Sequence, residues 1–145
     1  MYRKGNIRYF VHRFVNMPGL PNTIGQSLNV LQRPLAQHSL NPVTGYFRDG
    51  FCRTNETDFG RHALAGVLSD EFLSFSASRG NDLRTIGLTG GCRWCLCVQR
   101  WKEAYDAFDA GQISRTAVPR VVLEATEASA LDIVSIQQLQ EFREG

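Results

Sequence analysis

"GGCRWCLCVQRWKEAYDAFDAG", residues 90–111, changes period halfway along. Its first part, "RWCLCV" at 93–98, reads as a strand on which Cys95 and Cys97 share one face and Leu96 points away. In its second part Trp101, Ala104, Tyr105 and Phe108 recur at i, i+3, i+4 and i+7, one stripe of an amphipathic helix that Gly111 ends. A strand feeding a helix, with three of the four cysteines of the chain at the junction, raises both the question of fold and that of chemistry.

Outward from this run, "HALAGVLS" (62–69) reads as a buried strand. Ser69 can cap the helix that follows, with Asp70 and Glu71 in its first turn, Phe72, Leu73, Phe75 and Ser76 inside, and Gly80 as its stop near Arg79. "TGYFRDGFCRT" (44–54) reads as a hairpin turning at Asp49-Gly50, and "NVLQRPL" (29–35) as a short strand broken by Pro34. "VPRVVLEAT" (118–126) reads as a β-branched strand, with Thr126 capping a helical turn beyond it. Ser135 and Gln138 resemble a capping box for a last helix over about 136–143. Strands and helices mix without a βαβ rhythm. The expected fold is therefore α+β: one small domain over 29–145, with a mixed or antiparallel sheet packed by about three helices.

The 145 residues suit one domain, and no apolar run is long enough to span a bilayer. Charge is split unevenly. Residues 1–48 carry six Lys/Arg and no acid, while 49–145 carry ten Lys/Arg against fourteen acids. Basic residues are not interleaved with aromatics in the rest of the chain, so nucleic-acid binding is not favoured. Ile7, Phe10, Val11, Phe14 and Val15 fall at helical spacing opposite Arg8, His12 and Arg13. Residues 1–28 thus read as a basic amphipathic extension and linker. Three readings compete for it: a transit segment, as for a mitochondrion; a helix that docks on a protein partner or larger assembly; or an over-long start, with Met17 the true one. Four cysteines without a secretory signal point to a reducing compartment, cytoplasm or organelle matrix, and against a disulfide framework.

"NPVTGYFRDGFCRT", "DEFLSFSASRGNDL", "RWCLCVQRWKEA" and "VVLEAT" resemble the successive motifs of an uncharacterised, mainly bacterial family, Domain of Unknown Function 2237. The resemblance covers about Asn29 to Phe142 and implies a small α+β domain with no known activity. Against the family pattern the loop before Arg93 is short, and Cys92 stands in place of an Asp. Phe51 replaces a second Cys, Glu127 replaces a His, and "AQHSLN" replaces a Cys-containing stretch. Loss of reactive positions from a retained scaffold favours a non-catalytic accessory or interaction subunit.

Three readings of the cysteines stay open. Cys52, Cys92, Cys95 and Cys97 could hold zinc, with His62 as a substitute ligand; Cys92 and Cys95 have redox C-x-x-C spacing; or Cys52, Cys95 and Cys97 are free thiols packed in a core, the reading favoured here. No cofactor is otherwise expected. An alternative function is an enzyme or binder of a small anionic ligand, with a polar site formed by Arg48, Asp49, Asn81, Asp82, Arg93 and Glu124. Such a site requires Arg48, Asp82, Arg93 and Glu124 to converge. His62 lies near Asp58 on the chain, but spacing alone argues no catalytic geometry. His12 and His38 are read as solvated, and Trp101 as core.

Overall fold

A three-stranded antiparallel sheet lies between a layer of helices and a layer of loops in the computed structural model, which describes residues 27–145. The amphipathic stretch at Ile7–Val15 lies outside the described residues. The elements are β1 (Leu64–Val67), α1 (Asp70–Ser78), β2 (Arg93–Leu96), α2 (Val98–Asp109), β3 (Arg120–Val121) and α3 (Ile136–Glu141). β1 is central, in the order β2-β1-β3, and pairs Leu64 with Leu96, Ala65 with Cys95 and Gly66 with Val121. The α+β expectation holds.

Side-chain alternation on this sheet creates two cores. Leu64, Leu96 and Val121 join Phe72, Trp101 and Leu139 in the main cluster, under the helices. Trp101 is wholly buried and its indole N–H donates to Pro119 O at 2.9 Å, which satisfies the one polar group the ring brings inside. Ser69 caps α1 by accepting from the Phe72 N–H, and Ser135 with Gln138 forms a capping box on α3. On the opposite face Ala65 and Cys95 meet Cys52 and Ala125 in a small second cluster.

The loop layer departs from the sequence expectation. Residues 44–54 form no hairpin: a type I′ turn needs two consecutive positive φ angles, and here Arg48 (55°) and Gly50 (85°) flank an Asp49 that is not positive. Asp49 instead accepts the Phe51 N–H and pairs with Arg53. "NVLQRPL" is a turn rather than a strand, wound around buried Asn29, whose Oδ1 accepts from the Leu31 and Arg33 amides and whose Nδ2 reaches Glu124 O at 2.9 Å. Only Arg120–Val121 of "VPRVVLEAT" pairs as strand before a 3-10 turn at Leu123–Ala125. Thr126 does not cap the turn beyond it, whose N-cap is Glu127, but closes the 3-10 turn before it. Fully buried, its hydroxyl accepts the Ala65 N–H and donates to Val122 O. Thr44 does the same service at the edge strand, where its Oγ1 accepts the Cys95 N–H at 2.8 Å.

The cysteines form a disulfide. Cys52 and Cys95 are bonded across a separation of 43 residues, against the expectation of free packed thiols. Cys92 and Cys97 are the free cysteines, both half-buried. Cys97 is not on the strand with Cys95; β2 ends at Leu96 and Cys97 is the N-cap residue of α2. His38, expected in solvent, is buried. Its Nε2 lies 2.9 Å from Gly66 O, and since a carbonyl only accepts, Nε2 carries the proton and buried Nδ1 is left without a partner. Burial pushes its pKa down from 6.5 to about 4, with the Arg93 charge adding to the fall and the Gly66 bond opposing it.

Two outcomes follow from this layer. Cys52→Ser lowers unfolding free energy by about 2–4 kcal/mol, the entropic cost of freeing a loop of this length, and dithiothreitol lowers the urea midpoint of the wild type to match; an unmoved midpoint contradicts the bond. His38 binds a proton in the unfolded chain below pH 6.5 but in the folded chain only near pH 4. Stability therefore falls as pH drops through that window, by up to about 3 kcal/mol. Urea titrations at pH 7 and pH 4.5 read this fall, and His38→Gln flattens it; an equal slope in the variant removes His38 as its cause.

Candidate functional site

The turn that leads into β1 builds a carboxylate–imidazole pair. Asn55 starts it: its Oδ1 accepts the Thr57 N–H, and its carbonyl accepts the Asp58 N–H at 3.1 Å. The Asp58 carbonyl then accepts the Arg61 N–H, which requires Arg61 to take a φ of 49°, an uncommon conformation for a residue with a side chain. This reversal returns the chain onto Asp58. Asp58 Oδ2 accepts the His62 N–H at 2.9 Å and Oδ1 lies 2.7 Å from His62 Nδ1. Gly60 lies flat against the ring, where a Cβ would sit 2.6 Å from His62 Cε1.

Burial differs sharply across the pair. The Asp58 side chain is 1% exposed and that of His62 is 40% exposed. Burial raises the Asp58 pKa, but the hydrogen bonds from His62 and Thr54 outweigh it, so the carboxyl lies below its usual range and is ionised. An ionised carboxylate accepts only, so Nδ1 carries a proton and Nε2 is the ring nitrogen left without a protein partner. No described residue hydrogen-bonds Nε2. Tyr46 stacks near the ring at 6.5 Å and 16°, anchored by its hydroxyl on Thr57, and Phe47 packs edge-on to Tyr46. Phe59, next to Asp58, is 95% exposed.

The end of β1 brings other reactive groups beside this pair. Val98 N–H donates to Arg61 O at 3.1 Å, which sets the Cys97–Val98 peptide against Arg61–His62. On the other flank Glu127 N–H donates to Ala63 O at 2.9 Å, and buried Glu127 accepts the Ser129 hydroxyl. Arg61 reaches across to Asp132 at 2.8 Å. A free thiol at the start of a 12-residue helix, an oriented imidazole and a buried carboxylate thus share one end of the sheet.

The polar residues expected to converge pair outward instead. Arg48 donates to Gly45 O and lies over Trp94 at 5.3 Å. Asp49 holds Arg53, and Asp82 caps Leu83–Ile86 while pairing with Arg84. The Asn81 carbonyl accepts the Ser76 hydroxyl behind α1. Arg93 meets Glu144 at 3.5 Å, and Glu124 meets Arg143 at 2.6 Å. No contact joins any two of Arg48, Asp82, Arg93 and Glu124. The thiolate zinc set fails too, because Cys52 and Cys95 are bonded to each other, and no group of three His, Cys, Asp or Glu among the described residues is placed to hold a metal ion. The same bond takes Cys95 out of a Cys92–Cys95 redox pair. It also removes the support for a reducing compartment. No helix among the described residues is long and apolar enough to cross a membrane.

Asp58 and His62 were the missed pair. Their i, i+4 spacing around Gly60 was visible, but the same spacing on a straight strand would send them apart. The Asn55 turn and the positive φ of Arg61 make the contact.

No curated protein matches the chain. The family model described as "uncharacterized protein conserved in bacteria (DUF2237)" matches residues 28–143. With the motifs, the α+β fold and this match over most of its length in agreement, the chain belongs to the DUF2237 family.

Proposed function

We propose that this domain is an enzyme for acyl transfer or hydrolysis on small substrates, in which His62 is the proton acceptor, Asp58 its positioning residue and Cys97 the nucleophile. The observation that carries this reading is the buried Asp58 carboxylate on Nδ1 of a half-exposed His62 whose Nε2 has no hydrogen-bond partner among the described residues. A carboxylate on one ring nitrogen fixes the tautomer and makes the other nitrogen the better base. Cys97 supports the reading as a free, half-buried thiol on the peptide whose Val98 N–H donates to Arg61 O, next to His62 in the chain. The thiol proton passes to His62 Nε2 as sulfur attacks the acyl carbon, and His62 gives that proton to the departing leaving group. Water then cleaves the thioester, yielding a proton to the freed Nε2, which returns it to the Cys97 sulfur.

p-Nitrophenyl acetate tests this without knowledge of the natural substrate. The full chain releases nitrophenolate with a burst. His62→Ala slows the reaction by roughly 100-fold, and Asp58→Asn and Gly60→Ala, which disturb the ring, by about 10-fold. Cys97→Ser removes the burst. A wild type no faster than His62→Ala overturns the proposal.

A second reading rests on the front of the chain. The apolar spacing of Ile7, Phe10, Val11, Phe14 and Val15 within an acid-free stretch fits an accessory subunit that docks to a larger assembly. Removal of residues 1–28 then lowers the mass of the native complex in native mass spectrometry by more than the segment itself. An otherwise unchanged complex ends this reading; a natural N-terminus at Met17 itself fits the over-long start instead, and one cut elsewhere within residues 1–28 fits an organelle leader.

A further inference from the structure

At the opposite end of β1 from His62, a cleft of about 410 Å³ opens between the start of α1, β3 and the C-terminal tail. Its floor is apolar: Val67, Val118 and Phe142. Its rim holds Arg115, Arg120 and Arg143, and Glu71 and Glu141 also line it. We infer that this cleft binds a small amphiphilic anion, a carboxylate head on a short aliphatic body.

Each guanidinium is poised and only loosely held. Arg115 lies on the Phe142 ring at 4.3 Å and donates to the Glu141 backbone carbonyl, so its plane is fixed at the cleft mouth. Arg120 meets Glu144 at 2.8 Å and Arg143 meets Glu124 at 2.6 Å, through one nitrogen each. The arginine side chains are 54%, 59% and 48% exposed. The partners Glu141 and Glu124 are 40% and 49% exposed, and pairs this wet contribute about 0–1 kcal/mol, so at Arg115 and Arg143 a ligand carboxylate can replace the protein's own at little cost. Glu144, 24% exposed, pairs with Arg93 as well as with Arg120. A guanidinium offers five donors in a planar fork that matches a carboxylate, and Arg120 and Arg143 each use one of theirs on an acid. Glu141 meets Arg115 at 3.4 Å through one carboxylate oxygen and accepts the Tyr105 hydroxyl at 2.9 Å through the other. The volume falls within the usual range for small-molecule sites, and an apolar floor with a few convergent polar groups is their usual lining.

Glu124 and Arg93, two residues of the expected polar site, stand one ion pair behind this rim. Glu124 pairs with Arg143, and Arg93 shares Glu144 with Arg120.

Isothermal titration of the full chain with octanoate, acetate and 1-octanol tests the site. Octanoate binds saturably at one site, with acetate and octanol at least 10-fold weaker, because head and body are both read. Arg120→Gln and Arg143→Gln each weaken octanoate about 10-fold, the loss of one charge-assisted contact. Both positions are exposed, and the unchanged far-UV circular dichroism of each variant shows that folding is intact. Octanoate binding no tighter than octanol, or undiminished in the double variant, overturns the inference. His62→Ala binds octanoate as the wild type does, so this result is read independently of the nitrophenyl ester assay.

Discussion

The Cys52–Cys95 bond joins the loop layer to the edge strand, and the second face of the sheet depends on it. Three strands of two to four residues bury little on that side. The small cluster around the sulfurs has Ala65 and Ala125 as its other buried members, with half-buried Val122 packed against it. Burial of alanine methyls alone would not hold a layer of more than thirty irregular residues against its chain entropy. A covalent link removes much of that entropy from the unfolded state instead.

Around the bond, single polar side chains take the place of regular pairing. Thr44 covers the free amide of β2, Thr126 covers that of β1, Asn29 ties the first turn to Glu124, and His38 rests on Gly66. Each satisfies backbone groups that a strand ladder would otherwise satisfy. The Asp58–His62 turn belongs to the same layer and uses the same device, with one difference: its ring is left half in solvent. A rigid support beneath an exposed reactive group is the arrangement a catalytic loop needs. Asp58 and His62 are therefore best understood together with the disulfide, which holds the layer from which the turn rises.

Legibility in the sequence followed the range of the interaction. α1 and α3 were readable because Ser69 and the Ser135–Gln138 box act within three residues. α2 was readable from its stripe, and β1 from its apolar run. The loop layer was not, because its organisers act at long range: Asn29 reaches Glu124 across 95 positions and Thr44 reaches Cys95 across 51. The cysteines show the same limit. Leu96 does point away from Cys95, as alternation requires, yet alternation could not reveal that Cys52 would meet Cys95 or that Cys97 would leave the strand to start α2. For the polar site, residue type could not reveal pairing, because Asp49 and Asp82 found partners two to four residues away instead of across the domain.

The central claim is the identity of the bonded pair, since the loop layer, the free thiol at Cys97 and the failure of a thiolate metal set all follow from it. Alkylation of the unreduced protein, tryptic digestion and mass spectrometry read it directly. The account predicts one linked species that joins the peptide 49–53 to the peptide 94–100 through Cys95, with Cys92 and Cys97 alkylated. Alkylation of all four cysteines, or a link through Cys97 in place of Cys95, would contradict it.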